Sequence, residues 1–411
     1  MIECCVAFFM FFCVKFIVMF KDFALIYFCG MLGLAVTTSC SKNKEATTSY
    51  PTLTGKKPII IGHRGLPGFY PDHTIEGYTA AIKAGADFIE PDLVVTKDKI
   101  LVCRHEPMLS GTTDVSMHPE FADRKMVRRV DGVDYNDWFA CDFTLAELKT
   151  LKAIQPLPER PQQYNGRFDI PTFEEVIALV KSSSKTEGRT IGIYPETKHP
   201  TFHEKLNLHV TDLLMDALEK AGWNSAAAPV FVQSFEVSNL QYIRNTRKST
   251  LKLIQLFDAF DVNKDGTMNM TAPNGQPYDF VEKGDPRTYN DLATDAGMDF
   301  IKTYANGIGP WKPYIQPYTF TDANGDNKPD DINNDGIIDN RDFHELPAND
   351  FIARAHKRGL QVHPYTFRDE PKRLLKDYEN DPLVEYKRFF DLGIDGVFTD
   401  FTPTAYMARS K

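Results

Sequence analysis

The first chemically suggestive feature is a histidine and an arginine at the end of an apolar run. Residues 59–61 are three isoleucines, and His63 and Arg64 follow them between two glycines. The isoleucines are typical of a buried strand, and the glycines allow a tight turn with a close backbone approach. A strand that carries a base and a cation at its end is a candidate site in an α/β protein. The alternative is an ordinary strand end with two solvated side chains.

Three carboxylates near the ends of apolar runs form a candidate metal site. Glu90 and Asp92 stand two residues apart in the run 87–95, so on a strand both face the same side. Glu196 ends another apolar run. Neighbouring carboxylates repel each other unless a proton or a cation separates them. Oxygen ligands without cysteine favour calcium or magnesium over zinc.

Cations and histidines supply the other groups that a phosphodiester would need. Arg64 and Lys198 can neutralise phosphate oxygens while a metal stabilises the charge that develops. His63 and His105 form a candidate pair, one taking a proton from an attacking hydroxyl and the other giving one to the leaving oxygen. Because histidine titrates near neutral pH, the two can hold opposite protonation states. The alternative is that Arg64 and Lys198 form ordinary salt bridges with the carboxylates.

Recurring apolar runs predict the elements that bring these residues together. The predicted strands are 58–63, 87–95, 190–196, 229–235, 251–257, 299–305, 360–366 and 395–401. A further run, 99–105, follows the second strand so closely that we predict a hairpin. Other polar residues near predicted strand ends are Gln233, Ser234, His363, Tyr365 and Asp400. Eight strands alternating with helical patterns favour a TIM-type (β/α)8 barrel of the α/β class, whose active sites lie at the carboxyl ends of the strands. A doubly wound sheet is the alternative.

An ordered set of motifs resembles the glycerophosphodiester phosphodiesterase family. The motifs are HRG at 63–65, EPDLVVTKD at 90–98, RHEP at 104–107, GIYPETKHPTFH at 192–203, FVQSFE at 231–236, LIQLF at 253–257, YANGIGP at 304–310, VHPYTFR at 362–368 and GVFTDF at 396–401. The resemblance is strongest to the periplasmic bacterial branch. It implies a β/α barrel that hydrolyses glycerophosphodiesters, such as deacylated phospholipids, to sn-glycerol 3-phosphate and an alcohol. It also implies a cyclic phosphate, formed by attack of the glycerol 2-hydroxyl.

The resemblance further implies a role for each matching residue. The divalent metal, calcium in this branch with magnesium as the alternative, is implied to bind Glu90, Asp92 and Glu196. The implied acid and base are His63 and His105. The residues implied to contact phosphate or line the substrate pocket are Arg64, Lys198, Gln233 and Phe235. Two departures from the family pattern, Pro91 between the carboxylates and Glu106 after His105, bear on metal geometry.

Three insertions interrupt the predicted barrel. Residues 106–170 are too long for a simple connection and resemble the lid-like insertion of this family, which shapes the substrate pocket. Two others, 258–285 and 321–344, contain stretches rich in Asp and Asn. Within residues 321–344, Gly336 stands at the turn of a pattern that matches a structural calcium loop. The predicted loop ligands are Asp331, Asn333, Asp335, Ile337, Asp339 and Asp342. The alternative is a solvated acidic loop.

The start of the chain predicts export and a lipid anchor. If Met19 is the initiator, Lys21, an apolar core and small residues before Cys40 follow in the order of a lipoprotein signal peptide. A transmembrane anchor is the alternative, since the apolar length would suffice. We expect the protein in the periplasm or cell envelope, attached to the membrane through a lipid on Cys40. The predicted segments are a signal at 1–40, a tether at 41–57 and the barrel domain at 58–411.

Composition narrows the remaining choices. The formal net charge of −9 argues against a nucleic-acid-binding surface and fits a protein that gathers divalent cations. Cys103 and Cys141 lie in the predicted barrel domain. Cys103 falls in an apolar run, which favours a buried free thiol, although an exported protein could pair the two.

Two other functions are compatible with these residues. One is a non-catalytic surface lipoprotein that uses the barrel as a binding platform, and the other is a phospholipase D-like lyase that leaves a cyclic phosphate. An inactive relative would usually have lost a histidine or a metal ligand, whereas every such position is filled here. The sequence therefore favours the hydrolase.

Overall fold

Parallel strands close into a barrel in the computed structural model, which describes residues 49–410. The strands are β1 Ile59–His63, β2 Phe88–Glu90, β3 Asp92–Val95, β4 Leu101–Cys103, β5 Met126–Val130, β6 Val133–Asp137, β7 Gly192–Ile193, β8 Glu196–Thr197, β9 Phe231–Ser234, β10 Lys252–Phe257, β11 Asp261–Val262, β12 Met268–Asn269, β13 Gly307–Pro310, β14 Tyr318–Phe320, β15 Phe343–Glu345, β16 Gln361–Val362 and β17 Gly396–Thr399. The helices are α1 Ile75–Lys83, α2 Leu145–Leu148, α3 Phe173–Thr186, α4 Pro200–Lys205, α5 Val210–Lys220, α6 Val237–Asn245, α7 Tyr278–Lys283, α8 Tyr289–Leu292, α9 Asp295–Lys302, α10 Phe351–Lys357, α11 Pro382–Leu392 and α12 Thr402–Ser410.

The predicted signal segment, Cys40 and residues 41–48 of the predicted tether lie outside the described residues. Among the residues from 49 to 410, no helix has the length and apolar character needed to span a bilayer.

The barrel strands pair in chain order, as the sequence predicted. The second strand comprises β2 and β3 on either side of Pro91, and the third comprises β7 and β8. The order then runs through β9, β10, β13 and β16. Strand β17 pairs with β1, and the Phe398 amide donates to the Pro364 carbonyl at 3.1 Å, which closes the ring. The TIM-type barrel is therefore confirmed.

Alternation along the strands decides which side chains enter the barrel. One cluster of apolar side chains fills the interior, and it consists of Ile61, Tyr194, Phe231, Ile254, Leu256 and Phe398. The neighbours Ile60, Val232 and Leu253 pack outward in the core between strands and helices. Because side chains alternate, His63 and Gln233, two residues beyond Ile61 and Phe231, also point inward. The filled interior leaves the carboxyl end of the barrel as the place for a site.

The sixth strand lies elsewhere than predicted. Residues 299–305 were expected to form it, but most of them belong to α9, and the strand is β13 at Gly307–Pro310. The Thr294 hydroxyl accepts a hydrogen bond from the Gly297 amide and starts the helix. Met298 and Ile301, three residues apart, are buried on one helix face. The helical spacing of these residues explains why the apolar run is not a strand.

Close packing explains the unusual composition of β13. A Cβ atom at Gly307 would lie 2.7 Å from the Gln361 carbonyl oxygen and 2.7 Å from Cδ1 of Ile254. A Cβ atom at Gly309 would lie 2.5 Å from Cδ2 of Leu256. Glycine therefore fits where a larger residue would collide with neighbouring strands, so this strand lacks the apolar run that marks the others.

The first insertion has a small core of its own. Strands β3 and β4 form the predicted antiparallel hairpin, with Leu93 opposite Cys103. The chain that follows folds over the outer face of this hairpin, where Trp138 and Phe143 pack with Val94. Cys103 and Cys141 are both buried free thiols, as predicted for Cys103.

The two later insertions are hairpins that touch each other. Strands β11 and β12 enclose the first turn, and β14 and β15 enclose residues 321–342. The Lys264 ammonium, in the turn of the first hairpin, lies 2.8 Å from the Asp322 carboxylate, at the base of the second loop.

We expect Gly307→Ala to lower the free energy of unfolding by about 1–3 kcal/mol, because the added methyl meets a backbone oxygen that can move only with its strand. Urea denaturation followed by circular dichroism measures this change. Gly111→Ala is the matched control, since a Cβ atom there meets nothing within 4 Å, and its effect should stay within about 0.5 kcal/mol. Equal stability of the two variants would contradict the packing argument.

Candidate active site

Strand pairing brings the predicted site residues together at the barrel mouth. His63 on β1 stands opposite Glu90 on β2. Asp92 on β3 stands opposite Glu196 on β8, and Glu196 stands opposite Gln233 on β9. Residues opposite each other on adjacent strands are close neighbours, so the register alone gathers these five residues.

Glu90, Asp92 and Glu196 form an acidic triad that could hold a metal ion. Each offers a carboxylate oxygen, and these oxygens lie within 4.8 Å of one another. The three residues are 1%, 1% and 6% exposed. Glu90 accepts hydrogen bonds from the Arg64 amide at 2.8 Å and from the Gln233 side chain at 3.1 Å. Oxygen Oδ1 of Asp92 is buried and accepts no hydrogen bond in the described structure. Hard oxygen donors and a free buried oxygen fit a calcium or magnesium ion.

The triad carries more negative charge than its surroundings neutralise. Burial and the Asp92 and Glu196 carboxylates raise the pKa of Glu90 well above its usual value. Burial and Asp92 also raise the pKa of Glu196 to about 8, although Lys198, whose ammonium lies 2.9 Å away, opposes the shift. A divalent cation among the three carboxylates would replace this repulsion by attraction.

Asp92 is held by a histidine that the sequence interpretation missed. Nε2 of His73 lies 3.0 Å from Asp92, and Nε of Arg64 lies 3.4 Å away. His73 has a φ of 55°, a left-handed conformation that is uncommon outside glycine. The fully buried Arg104 donates to the His73 carbonyl oxygen at 2.9 Å and to that of Asp72. Arg104 thereby holds the loop that presents His73. Because Arg104 is the first residue of the RHEP motif, that motif could have indicated its role.

His63 is oriented by a carboxylate that two arginines hold. Nδ1 of His63 lies 2.6 Å from Asp400. The other Asp400 oxygen accepts from Arg160 at 2.6 Å and from Arg368 at 2.9 Å. Burial opposes ionisation of Asp400, but Arg368, His63 and Arg160 outweigh it and lower its pKa well below the usual value. An ionised Asp400 only accepts, so Nδ1 of His63 carries the proton and Nε2 is left for chemistry.

Arg160 is another site residue that no sequence pattern indicated. It comes from the first insertion and also pairs with Glu370 at 2.6 Å. Its segment carries no motif. Only the folded chain shows that the insertion reaches Asp400, the carboxylate that orients His63.

His105 is oriented by a longer chain of charged groups. Nδ1 of His105 lies 2.8 Å from Glu106, and Nε2 lies 3.4 Å from the Lys198 ammonium. The second Glu106 oxygen lies 2.8 Å from His199, whose other nitrogen lies 2.7 Å from Asp131. Burial, Arg64 and Lys198 lower the pKa of His105 to about 4. Both predicted histidines thus lie at the mouth with Nδ1 against a carboxylate.

His199 carries the positive charge of that chain. Burial disfavours its cation, but Asp131 and Glu106 outweigh burial and raise its pKa to about 10. Asp131 stands in the turn between β5 and β6, so the first insertion contributes to this histidine as well.

Lys198 and Phe235 border the triad on one side. The Lys198 ammonium lies over the Phe235 ring, 5.5 Å from its centre, while it pairs with Glu196. A cavity of about 330 Å³ begins at these residues and at His105. Phe235 and Lys198 therefore line a space beside the triad, whereas Gln233, the other residue that the resemblance implies for the pocket, is not part of the lining of this cavity.

His363 does not join the other residues near strand ends. It is fully buried in the barrel interior, and its Nδ1 lies 2.8 Å from the Tyr194 hydroxyl. Burial lowers the pKa of His363 to about 4, which fits a neutral structural histidine.

The predicted ligands of the calcium loop do not come together around one point as the carboxylates of the triad do. Asp331 accepts from the Gly336 amide at 2.7 Å, and Asn333 accepts from the Asp335 amide at 2.9 Å, so these side chains cap their own loop. The Arg341 guanidinium lies 2.7 Å from Asp335. Arg341 also pairs with Asp339, and Asp342 accepts from two amides of the loop. Within residues 49–410, the triad is the one cluster of three or more acidic, His or Cys side chains close enough to share an ion.

Sequence comparison agrees with this geometry. Residues 63–404 match the glycerophosphoryl diester phosphodiesterase family. The chain is 37% identical over 378 residues to glycerophosphodiester phosphodiesterase GDPD6 of Arabidopsis thaliana, covering 88% of each protein. It is 28% identical to a glycerophosphodiester phosphodiesterase of Haemophilus influenzae, covering 91% of this chain and 95% of that one. These relatives come from a plant and a bacterium, so they do not single out a periplasmic bacterial branch.

Solved structures share the fold. A Silicibacter pomeroyi DSS-3 structure aligns with a TM-score of 0.53 at 16% identity, covering 88% of this chain and 97% of the other. The structure of an Oleispira antarctica phosphodiesterase in complex with the product sn-glycerol-3-phosphate aligns with a TM-score of 0.52 at 16% identity, covering 88% of this chain and all of the other. With the family match over most of its length, the chain belongs to the glycerophosphoryl diester phosphodiesterase family.

Proposed function

We propose that the protein hydrolyses glycerophosphodiesters to sn-glycerol 3-phosphate and an alcohol with the help of a divalent metal. The observation that carries this proposal is the buried triad of Glu90, Asp92 and Glu196, which lies beside two histidines whose Nδ1 atoms rest on carboxylates. The activity named for the plant and bacterial relatives supports the same reaction. So does the product named for the Oleispira antarctica structure.

The metal that we propose is calcium, with magnesium as the alternative. Glu90, Asp92 and Glu196 would hold it through carboxylate oxygens, and the free Oδ1 of Asp92 is one available donor. Bound there, the ion would polarise the phosphate oxygens and offset the negative charge that builds up during the reaction. We also propose, from the sequence pattern alone, a structural calcium in the loop 321–342.

Two histidines would move the protons. The glycerol 2-hydroxyl attacks phosphorus, its proton passes to one histidine, and the leaving alcohol takes a proton from the other. Water then opens the resulting cyclic phosphate with the proton transfers reversed. His63 and His105 fit these roles because Asp400 and Glu106 each hold Nδ1, which directs Nε2 to the substrate.

Two cations and a polar side chain would position the phosphate. Lys198 and Arg64 lie beside the triad at the same mouth and can pair with the non-reacting phosphate oxygens. Gln233 already donates to Glu90, so it would orient that carboxylate. Phe235 would wall the pocket beside Lys198.

We further propose membership of the periplasmic bacterial branch, which the barrel motifs resemble most. We also propose export and lipid attachment at Cys40, because the residues before Cys40 follow the order of a lipoprotein signal. Expression in a bacterium with radiolabelled palmitate tests this. Label should enter the wild type and be absent from Cys40→Ala, and an unlabelled wild type would overturn the proposal.

Chelation should abolish activity, and calcium should restore it. Phosphorus NMR of glycerophosphocholine turnover measures both outcomes and separates sn-glycerol 3-phosphate from an accumulated cyclic phosphate. A cyclic end product would indicate the lyase instead. Absence of turnover by folded, metal-loaded protein across several headgroups would favour the binding platform.

Glu90→Gln should weaken calcium binding by at least about tenfold, because one charged ligand of the triad is lost. Isothermal titration calorimetry on the metal-free protein measures the affinity without any turnover. Glu187→Gln is the matched control, since Glu187 is exposed at the end of α3, and its affinity should not change. Wild-type affinity in Glu90→Gln would refute the ligand assignment.

His63→Ala should reduce kcat about 10²–10⁴-fold, because a positioned proton acceptor or donor contributes rate enhancements of this size. Asp400→Asn should also reduce kcat, since an amide cannot hold Nδ1 of His63 as a charged acceptor does. Steady-state kinetics with calcium measure both effects. His209→Ala, which removes an exposed histidine, should keep the wild-type rate. Full turnover by His63→Ala would show that another group moves the proton.

A further inference from the structure

A second cavity lies where the loops after β13 and β16 meet α11 and the insertion 321–344. Its volume is about 250 Å³. Trp311 follows β13, Arg368 follows β16, and Asn340 comes from the insertion. Within the described residues, the lining of this cavity includes neither the acidic triad nor the two candidate histidines, although Tyr365 lines both this cavity and the one beside the triad. The second cavity is therefore a different space that shares one wall with the proposed reaction centre.

The lining of the second cavity carries a net positive charge. Its charged side chains are Lys312, Arg368, Arg373 and Glu385, so three cations face one anion. The Lys312 ammonium pairs with Glu385, and this pair accounts for two of the four charges. The whole chain has a formal net charge of −9, so a cationic cavity runs against its overall composition. The two arginines are the groups that require an explanation.

Arg373 has an unused guanidinium group. Within residues 49–410, its side chain donates no hydrogen bond to the protein, and its Nε atom is buried. A terminal nitrogen lies 3.9 Å from Glu159, but that carboxylate is already paired with Lys372 at 2.6 Å. The Arg167 side chain also donates no hydrogen bond in this part of the chain, but Arg167 is exposed to water. A buried donor without an acceptor is costly, so a ligand oxygen at Nε of Arg373 would be stabilising.

Arg368 adds further donors to the same cavity. Its Nε donates to Asp400 at 2.9 Å, whereas its two terminal nitrogens donate to no acceptor in the described chain. Asp400 also pairs with Arg160, so one carboxylate faces two guanidinium groups. Burial lowers the pKa of Arg373, and the neighbouring Arg368 cation lowers it further. An anion that contacts both arginines would replace this repulsion by attraction.

We propose that the second cavity binds a small phosphate monoester, with its phosphate group on Arg368 and Arg373. Guanidinium groups suit this role because their planar donors match phosphate oxygens, and two arginines balance the charge of a phosphate monoester near neutral pH. The organic part of the ligand meets apolar side chains of the lining, among them Trp311, Leu375 and Phe389. The inference concerns binding at a separate cavity and does not depend on the proposed function.

Tryptophan fluorescence of the magnesium-loaded full chain tests this proposal. Trp311 lines the cavity, whereas the other two tryptophans of the chain, Trp138 and Trp223, are not part of its described lining. We expect butyl phosphate to change the emission in a saturable way, and Trp311→Phe to remove that change. Inorganic phosphate should bind at least about threefold more weakly, because it lacks the apolar group that the cavity would bury. Equal affinity for the two probes would overturn the assignment to a monoester and leave free phosphate as the ligand.

Variants assign the binding to this cavity. Arg373→Gln should weaken butyl phosphate binding at least about tenfold, because a charge-assisted hydrogen bond to phosphate is lost. Arg167→Gln is the matched control, since it removes an arginine that also donates no hydrogen bond but is exposed, and it should keep the wild-type affinity. Lys198→Gln, which removes a cation at the proposed reaction centre, should keep it as well.

The outcomes separate this cavity from the proposed reaction centre. Absence of a saturable change in the wild type, or wild-type affinity in a folded Arg373→Gln variant, would overturn the proposal. A loss in Lys198→Gln equal to that in Arg373→Gln would also overturn it, because the phosphate would then bind beside the triad. Circular dichroism shows whether each variant is folded. The titration involves no turnover, so it decides the binding site whether or not the protein hydrolyses glycerophosphodiesters.

Discussion

Glu90, Asp92 and Glu196 place three carboxylates within 4.8 Å of one another in a region that solvent barely reaches. Such an arrangement is unfavourable without positive charge nearby. The barrel mouth supplies part of that charge through Arg64 and Lys198, which approach the triad from different strand ends. The remaining negative charge is what a divalent cation would balance. The repulsion among the carboxylates thus gives a physical reason for the cations around them and for a metal between them.

Side chains at the same barrel mouth also orient two histidines, His63 and His105. A hydrogen bond at Nδ1 fixes the orientation and tautomer of a histidine that acts through Nε2, and both histidines have a carboxylate against Nδ1. Those carboxylates are in turn held by charged groups from distant parts of the chain, Arg160 and Arg368 on one side and His199 on the other. Both supports depend on the first insertion, through Arg160 and through Asp131. The first insertion therefore helps to orient the two histidines, in addition to lining the cavity beside the triad.

The barrel strands account for only part of the site. Its strands supply the triad and His63, whereas the walls of the neighbouring cavity come partly from segments inserted between strands. Under the proposed function, the phosphate would meet groups on the barrel strands, and the alcohol attached to it would meet side chains that the insertions help to place. Such a division would let headgroup selection vary while the reaction centre is preserved.

Much of the fold and the reaction centre could be predicted from the sequence because both follow local rules. Apolar runs and the two-residue alternation along strands were enough to place Glu90, Asp92 and Glu196 at one barrel mouth. The sixth strand was misplaced because two of its residues are glycines required by close packing with Ile254, Leu256 and Gln361, a contact between strands that leaves no local pattern.

The charged groups that hold the histidine-bound carboxylates and His199 could be identified only from the tertiary structure. Arg160 reaches Asp400 across 240 positions in the chain, and Asp131 reaches His199 across 68. No spacing rule connects residues so far apart, since folding alone decides which surface of an insertion meets the barrel. The sequence by itself determined which chemical groups were present and which end of the barrel they would occupy. The tertiary structure decided their partners, because hydrogen bonds and burial depend on contacts that only the folded chain makes.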